Sequence, residues 1–378
     1  MVRKEHRMFV LITFVFTLFI MLFSVLRFET LSKYGIHDID LQIFSESLQT
    51  TLTGQGFFFN EWEWQHWRAW SHFGTHNSPI LFLLLLPYAL VPSQYTLILL
   101  QDLMVTISAI VLFKFAGYIL NDEKKALIVS VAFLMNPITH GIVRYDFRPD
   151  VLAMPFMFLF AYCVAKNDTK KSVLAALFVV SVKEDAGLFL IAYSMFEILS
   201  KRGFAIRTWL EEKRAVGFAL LGLSWILISI FLIIPHFNTS HRYIYFILYK
   251  PEIGKRAFIF AVALAKLVVL FLSVAFVPLR RPAYWLPLVF LWSENAFSSR
   301  LEQAAIGFQY DYQLLPMAFI VLVYALKEYG SANPKKLLLF SFISALIFSP
   351  MVGVIDAYPV TLGISFWKYI KLFWGRGL

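Results

Sequence analysis

Four short stretches of this 378-residue chain crowd ionisable side chains together: His37-Asp38-Ile39-Asp40, His72-Phe73-Gly74-Thr75-His76, Arg144-Tyr145-Asp146-Phe147-Arg148-Pro149-Asp150 and Lys183-Glu184-Asp185. A carboxylate such as Asp40, with Asp38 as its alternative, can take a proton from an attacking hydroxyl or ligate a divalent cation. His72 and His76 are four apart, a spacing at which two imidazoles on a helix can share a metal. Gly74 between them and Asn77-Ser78-Pro79 after them favour a loop instead, and a lipid phosphate is an equally good partner. Arg148 and Lys183 can neutralise an anion, whereas Lys183, Glu184 and Asp185 together are costly between apolar segments unless they line a polar cavity. Tyr310 and Tyr312, flanking Asp311, add hydroxyls.

Each stretch also has a structural reading. Asp38, ahead of Asp40, is placed to cap the amphipathic surface helix that Leu41, Ile43, Phe44, Leu48 and Leu52 mark out, and Asp150, after Pro149, to cap one starting at Val151. Asp146 and Arg148 have no such assignment. Trp62, Trp64, Trp67 and Trp70 fit either an interfacial aromatic belt or a stacking platform for a sugar ring. Asn238-Thr239-Ser240 matches a glycosylation sequon. Lys114 and Lys266, near the ends of apolar runs, fit snorkelling side chains.

The elements that must position these residues are membrane helices. Hydrophobic residues make up 59% of the chain and charged residues 15%, far too few to cover a soluble core of this size. Runs such as Met8–Leu26 and Phe258–Pro278 can cross a hydrocarbon core of ~30 Å. The pattern predicts an all-α polytopic transmembrane bundle of about eleven spans, with outer juxtamembrane helices. Residues 1–28 hold the first span and 29–93 a large outer loop. Residues 94–215 and 216–358 form two transmembrane modules, and 359–378 an amphipathic tail. The stretch Ser78–Pro92, broken by Pro87, is too short for a span and reads as a helix lying at the outer interface. That path keeps Lys124, Lys125, Lys170, Lys171, Lys201 and Arg202 in cytoplasmic loops, with the N-terminus inside. The four charged stretches then meet on the outer face of the cell membrane. The net charge of +10 falls in short loops that meet lipid headgroups, and so does not indicate nucleic acid. The lone Cys163 excludes an intrachain disulfide.

The order of motifs resembles a known family. Asp40-Leu41-Gln42-Ile43-Phe44, Ser71-His72-Phe73-Gly74-Thr75-His76-Asn77-Ser78-Pro79-Ile80, Val182-Lys183-Glu184-Asp185-Ala186-Gly187 and Tyr310-Asp311-Tyr312-Gln313-Leu314-Leu315-Pro316 are similar to the prokaryotic membrane family called domain of unknown function 2079. That family is in turn similar to the GT-C glycosyltransferases, polytopic enzymes that use polyprenyl-phosphate-linked sugars. The resemblance implies a GT-C-like fold with membrane lipid and a lipid-linked sugar as partners. It implies a first-loop acid at Asp40, a second-loop acid at Asp146 and a basic residue at Lys183. Asp40 would deprotonate the acceptor. Arg148, Lys183 and His72 or His76 would neutralise the departing phosphate, with or without a divalent cation such as magnesium or manganese. Glu184, Asp185, Tyr310 and Tyr312 would complete the substrate site. A transporter, or a binder of lipid-linked glycans without catalysis, is the alternative from another class.

Overall fold

A computed structural model describes residues 2–36, 38–249, 253–330, 334–363 and 365–374; His37 of the first charged stretch lies outside them. Among the described residues the chain is helical, with no strand and two isolated bridges, Ala69 to Asn238 and Ile306 to Thr361.

The first helix, α1 (Val2–Lys33), exposes Val10, Leu11, Phe14, Val15, Leu18 and Leu22, an apolar face suited to lipid, and packs its other side on α5 (Gln94–Leu120). Between them lie α2 (Ile39–Leu52), α3 (Glu61–Trp67) and α4 (Leu81–Leu90), the short helices of the first loop. The amphipathic pattern after Asp40 holds for Leu41, Ile43, Phe44 and Leu48, which are buried, but not for Leu52, which is exposed at the helix end. Asp122 caps α6 (Glu123–Leu134), accepting from the amides of Lys124 and Lys125. Pro137 opens α7 (Pro137–Arg144), bent by 48° from α6, so one predicted span is a broken helix. Three shorter helices follow, α8 (Ala153–Ala165), α9 (Thr169–Val180) and α10 (Gly187–Arg202). Then α11 (Lys213–Ile228) runs through a π turn into α12 (Ile234–His236). The chain closes with α13 (Ile253–Ser273), α14 (Pro282–Ala296), α15 (Leu301–Ala304), α16 (Leu314–Tyr329), α17 (Pro334–Phe348) and α18 (Phe366–Phe373).

Four of these stretches, Lys4–Lys33, Gln94–Leu120, Lys213–His236 and Lys255–Ser273, are long and apolar enough to cross a bilayer, and the bent α6–α7 pair makes a fifth. The helices at the other predicted spans have 12 to 16 residues, roughly 18–24 Å of rise. Of these, α16 is buried on almost every side, so it meets protein rather than lipid. α10 and α11 approach closely, since a Cβ on Gly187 or Gly222 would strike the other glycine's carbonyl.

The helix ends sort into two groups. One end of the bundle collects the first loop, 144–150, 183–185, 237–249 and 294–312. The other collects 121–125, 166–170, 201–214 and 276–282. The tail belongs with the first group: α18 lies on α1, and Lys33 Nζ and Tyr34 Oη donate to the carbonyls of Phe373 (2.8 Å) and Leu372 (3.1 Å). Lys266 does not snorkel. It is fully buried, 2.9 Å from Asp311, and donates to the carbonyl of Gln303 at 2.6 Å, because α13 turns that face toward the 294–312 segment rather than toward water.

Candidate functional site

The charged stretches do meet at one end of the bundle, but as two clusters joined by Arg148. The first cluster gathers around the start of α2. Asp38 occupies the position before the helix, yet its side chain makes no capping bond and instead sits 2.5 Å from the buried Arg27 on α1. The cap comes from a distant residue. Asp146 Oδ2 accepts from the amide of Leu41 (3.0 Å) while its Oδ1 accepts from the amide of Phe147 (2.7 Å). This positions the 144–150 loop on the helix N-terminus, where a carboxylate is favoured by the unpaired amides. Burial, then the charges of Asp38 and Asp40, push the Asp146 carboxyl well above the usual range, although Arg27 and the Leu41 amide oppose the shift.

Asp40 stands at the edge of this cluster. It lies 3.3 Å from Arg148 Nη1 and accepts from Tyr145 Oη at 3.2 Å, and its side chain keeps 19% exposure, more than Asp38 or Asp146. Arg148 is gripped on its other side by Gln309, whose amide oxygen, in the orientation that satisfies both groups, accepts from Nε (2.8 Å) and Nη2 (3.1 Å). Burial works against the guanidinium charge, but Asp40 and Asp150 outweigh it and hold the Arg148 pKa well above its ordinary value.

The second cluster surrounds a narrow polar cleft of about 50 Å³ lined by His76, Arg148, Lys183, Glu184, Asp185, Glu294, Arg300 and Tyr310, among others. Lys183 Nζ reaches Asp185 (2.8 Å) and faces Asp150 at 3.9 Å. Asp150 therefore does not cap a helix. It sits inside the 3-10 turn Pro149–Leu152, which takes the chain into α8 and aims the carboxylate at Lys183. Burial opposes the charge of Lys183, and Asp185 and Asp150 more than restore it. Glu184 is buried under His76, whose Nδ1–H donates to Oε1 (2.9 Å), and its Oε2 accepts from the Asn77 amide (3.2 Å). Burial alone would raise the Glu184 pKa, but His76 and Lys183 overcome that and bring it down to about 2. Tyr312 Oη donates to Asp185 Oδ1 (2.6 Å) from the start of α16, so Tyr312 braces the cleft while Tyr310 lines it.

A strap formed by residues 237–249 closes over this arrangement. Asn238 is buried and donates to the carbonyls of Gly74 (2.9 Å) and Ile234 (2.9 Å), so the sequon asparagine is a structural pin facing away from solvent. Beyond it, Tyr243 Oη donates to Glu184 (3.1 Å) and the Tyr245 ring stacks on His76 at 4.7 Å. The strap also walls a second, larger cavity of about 430 Å³ that shares Tyr243 with the cleft and is lined by His66, Trp67, Arg68, Thr239, Ser240 and Arg242. Of the four tryptophans only Trp67 lines it; Trp64 lies under Arg68, and Trp70 packs on Phe237.

His72 is separate from both cavities. It is buried with Nδ1 3.0 Å from Glu63 Oε1, and its ring centre is 5.8 Å from that of His76. Each histidine thus faces its own carboxylate. Among the described residues no group of three or more His, Cys, Asp or Glu side chains is placed to hold a metal ion. Sequence reasoning missed Arg27, Glu63, Glu294 and the tyrosines of the strap. Arg27 and Glu294 each left a signal, a charge at the end of an apolar run; Tyr243 and Tyr245 left none.

Bundle and cleft together define a helical membrane protein with a cluster of buried charges at one end. Within that class, the chain belongs to the family of predicted membrane proteins called domain of unknown function 2079, matched over residues 36–367. The match takes in both charged clusters, the strap and the first residues of α18. No curated protein matches the sequence.

Proposed function

We propose that this protein transfers a sugar from a polyprenyl-phosphate carrier to an acceptor at the outer face of the cell membrane, through a GT-C-like bundle of about eleven spans whose core module is residues 94–215. One observation carries the reading. Arg148 joins Asp40, the most exposed acid of the first cluster, to a cleft that also presents Lys183 and His76. A base and an anion-stabilising set thus share one side chain, as a displacement at a phosphate-bearing carbon requires.

In this reading Asp40 takes the acceptor's hydroxyl proton as that oxygen attacks the anomeric carbon. The bond to the carrier phosphate breaks with its electron pair leaving on phosphate oxygen, and the configuration inverts. Arg148, Lys183 and His76 stabilise the phosphate that departs. Asp38 holds Arg27, and Asp146 holds α2 in register, so both act by positioning Asp40. The cavity walled by Trp67 and Arg68 falls within the usual size range for ligand sites and has room for a sugar ring, which the narrow cleft lacks. The orientation follows from the basic loops gathered at the other end, which belong in the cytoplasm together with the N-terminus.

The test is transfer of labelled lipid-linked sugar by membranes containing the parent or Asp40→Asn at matched expression. Asparagine keeps the size of the side chain and removes its proton affinity, so transfer should drop by roughly 10²-fold or more. Near-parental transfer would remove Asp40 from catalysis. Single-cysteine labelling in a Cys163→Ser background checks orientation, with outward reaction expected at position 76 and none at position 124. A non-catalytic glycan binder is favoured instead by one feature, the pairing of His76 with Glu184 and of Lys183 with Asp185 and Asp150; it predicts carrier binding without turnover in the parent.

A further inference from the structure

The helices that build the cleft have a second polar site at their far ends. Asp185 precedes α10, Glu294 lies in the last turn of α14 and Tyr312 precedes α16. At the opposite ends of the same three helices, Glu197, Ser200 and Lys201 of α10, Tyr284 of α14 beside Arg281, and Lys327 and Glu328 of α16 line a cavity of about 620 Å³. α10 has 16 residues, so the two sites are separated by roughly 24 Å, close to one hydrocarbon thickness. Between them Phe189, Leu190, Leu288, Met317 and Val321 are fully buried, which seals one site from the other. The second cavity is therefore no extension of the first.

Its lining has a defined chemistry. Four cations, Lys201, Arg214, Arg281 and Lys327, face two carboxylates, Glu197 and Glu328, leaving a positive excess. Lys201 lies 2.7 Å from Glu197 Oε1 and 3.0 Å from Glu212 just outside the lining, Arg214 bonds the same Glu197 oxygen, and Arg281 lies 3.1 Å from Glu328, so four cations still meet only three carboxylates. Lys327 has no ion pair among the described residues. Two buried polar atoms in the wall, Glu197 Oε2 and Ser200 Oγ, have no hydrogen-bond partner, and Glu197 as a residue is only 6% exposed. A buried carboxylate oxygen without a donor is costly unless a ligand or water supplies one. Val164, Ala165 and Phe196 add an apolar wall.

We propose that this cavity binds a phosphodiester whose substituent carries a hydrogen-bond donor, the headgroup chemistry of an ethanolamine or glycerol phospholipid. Lys327, Arg281 and Lys201 take the phosphate, and Glu197 Oε2 takes the ammonium or hydroxyl. A cavity at helix ends, about one hydrocarbon thickness from the cleft, lies at the level where such headgroups sit. The same chemistry is offered by a soluble glycerophosphodiester such as glycerophosphoethanolamine, and the experiment separates the two sources.

Purified full-length protein in detergent is titrated with phosphatidylethanolamine, phosphatidylglycerol or phosphatidylcholine and lipid retention is read by native mass spectrometry; glycerophosphoethanolamine is titrated in parallel. Retention of the first two lipids over phosphatidylcholine, which has a phosphate but no donor, is expected. Lys327→Gln, which leaves no carboxylate behind, should weaken retention by about fivefold, the effect of one basic side chain at a headgroup, with thermal stability unchanged. Glu197→Gln tests the donor contact and should erase the preference over phosphatidylcholine. Saturable binding of glycerophosphoethanolamine with no lipid retention would keep the phosphodiester site and overturn its lipid source. Equal retention of all three lipids, or retention indifferent to Lys327→Gln, would overturn the proposal outright. None of these readouts depends on sugar transfer.

Discussion

The two clusters at the cleft end are made of the same residue types and use them differently. Around α2, Asp38 and Asp146 are held by Arg27 and by backbone amides, and neither lines the cleft. Around the 183–185 turn, Lys183, Glu184 and Asp185 are also paired, but all three line the cleft and Tyr243 of the strap lies directly on Glu184. A carboxylate bonded to a helix N-terminus sets geometry; a pair on a cavity wall can exchange its partner for a ligand. The first cluster builds a platform, and the second presents charge. Asp40, on the boundary and bound to Arg148, belongs to both.

The largest expected effect tests the platform. Arg27→Ala removes the buried partner of Asp38, and loss of one member of a buried pair costs ~3–5 kcal/mol. Thermal denaturation in detergent should show most of the folded state lost, whereas Lys183→Ala, on a cavity wall with water access, should fold. Equal stability of the two variants would erase the distinction between the clusters.

Next in size is the loss of transfer in Asp40→Asn, where activity falls and stability does not. Lys183→Ala should weaken binding of polyprenyl phosphate by about 1.5–3 kcal/mol, the range for a charge-assisted hydrogen bond. Unchanged affinity, measured by isothermal titration, would move the phosphate elsewhere.

The pH dependence sharpens the comparison. The folded pKa of Glu184, about 2, lies below its ordinary 4.5. Its stabilising contribution is therefore complete above that ordinary value and disappears as pH falls from 4.5 toward 2. Glu184→Gln should flatten the stability profile in that window. Asp146 shifts the other way, so its charged form is disfavoured by folding and its contribution weakens as pH rises above the ordinary carboxylate value. Asp146→Asn, which keeps an oxygen for the Leu41 amide, should change stability by only ~1 kcal/mol, and transfer should survive. Loss of transfer there, with the fold intact, would make Asp146 a participant in the chemistry.

Much of the site could be read along the chain because lipid leaves few places for charge. With so little charge in so apolar a chain, each ionisable stretch had to fall at a helix end, and alternating loops placed four of those ends together. The assignment of single residues failed where capping was at stake. A cap read locally is an acid just before an apolar run, which selects Asp38 and Asp150. The acid that in fact caps α2 is Asp146, 105 positions away from Leu41. Nothing in the spacing of either segment records that contact.

The sequence by itself determined a helical membrane protein, its family and the end of the bundle at which most of its loop charges lie, because these depend on composition and on helix length against bilayer thickness. Only the tertiary structure decided which acid pairs with which base, that Arg148 bridges two clusters, that Glu294 and the tyrosine strap enclose the cleft, and that the far ends of the same helices form a second cavity. Those relations depend on how helices rotate and lean against one another. Contacts such as Gly187 on Gly222 set them, across distances in sequence that no local pattern spans.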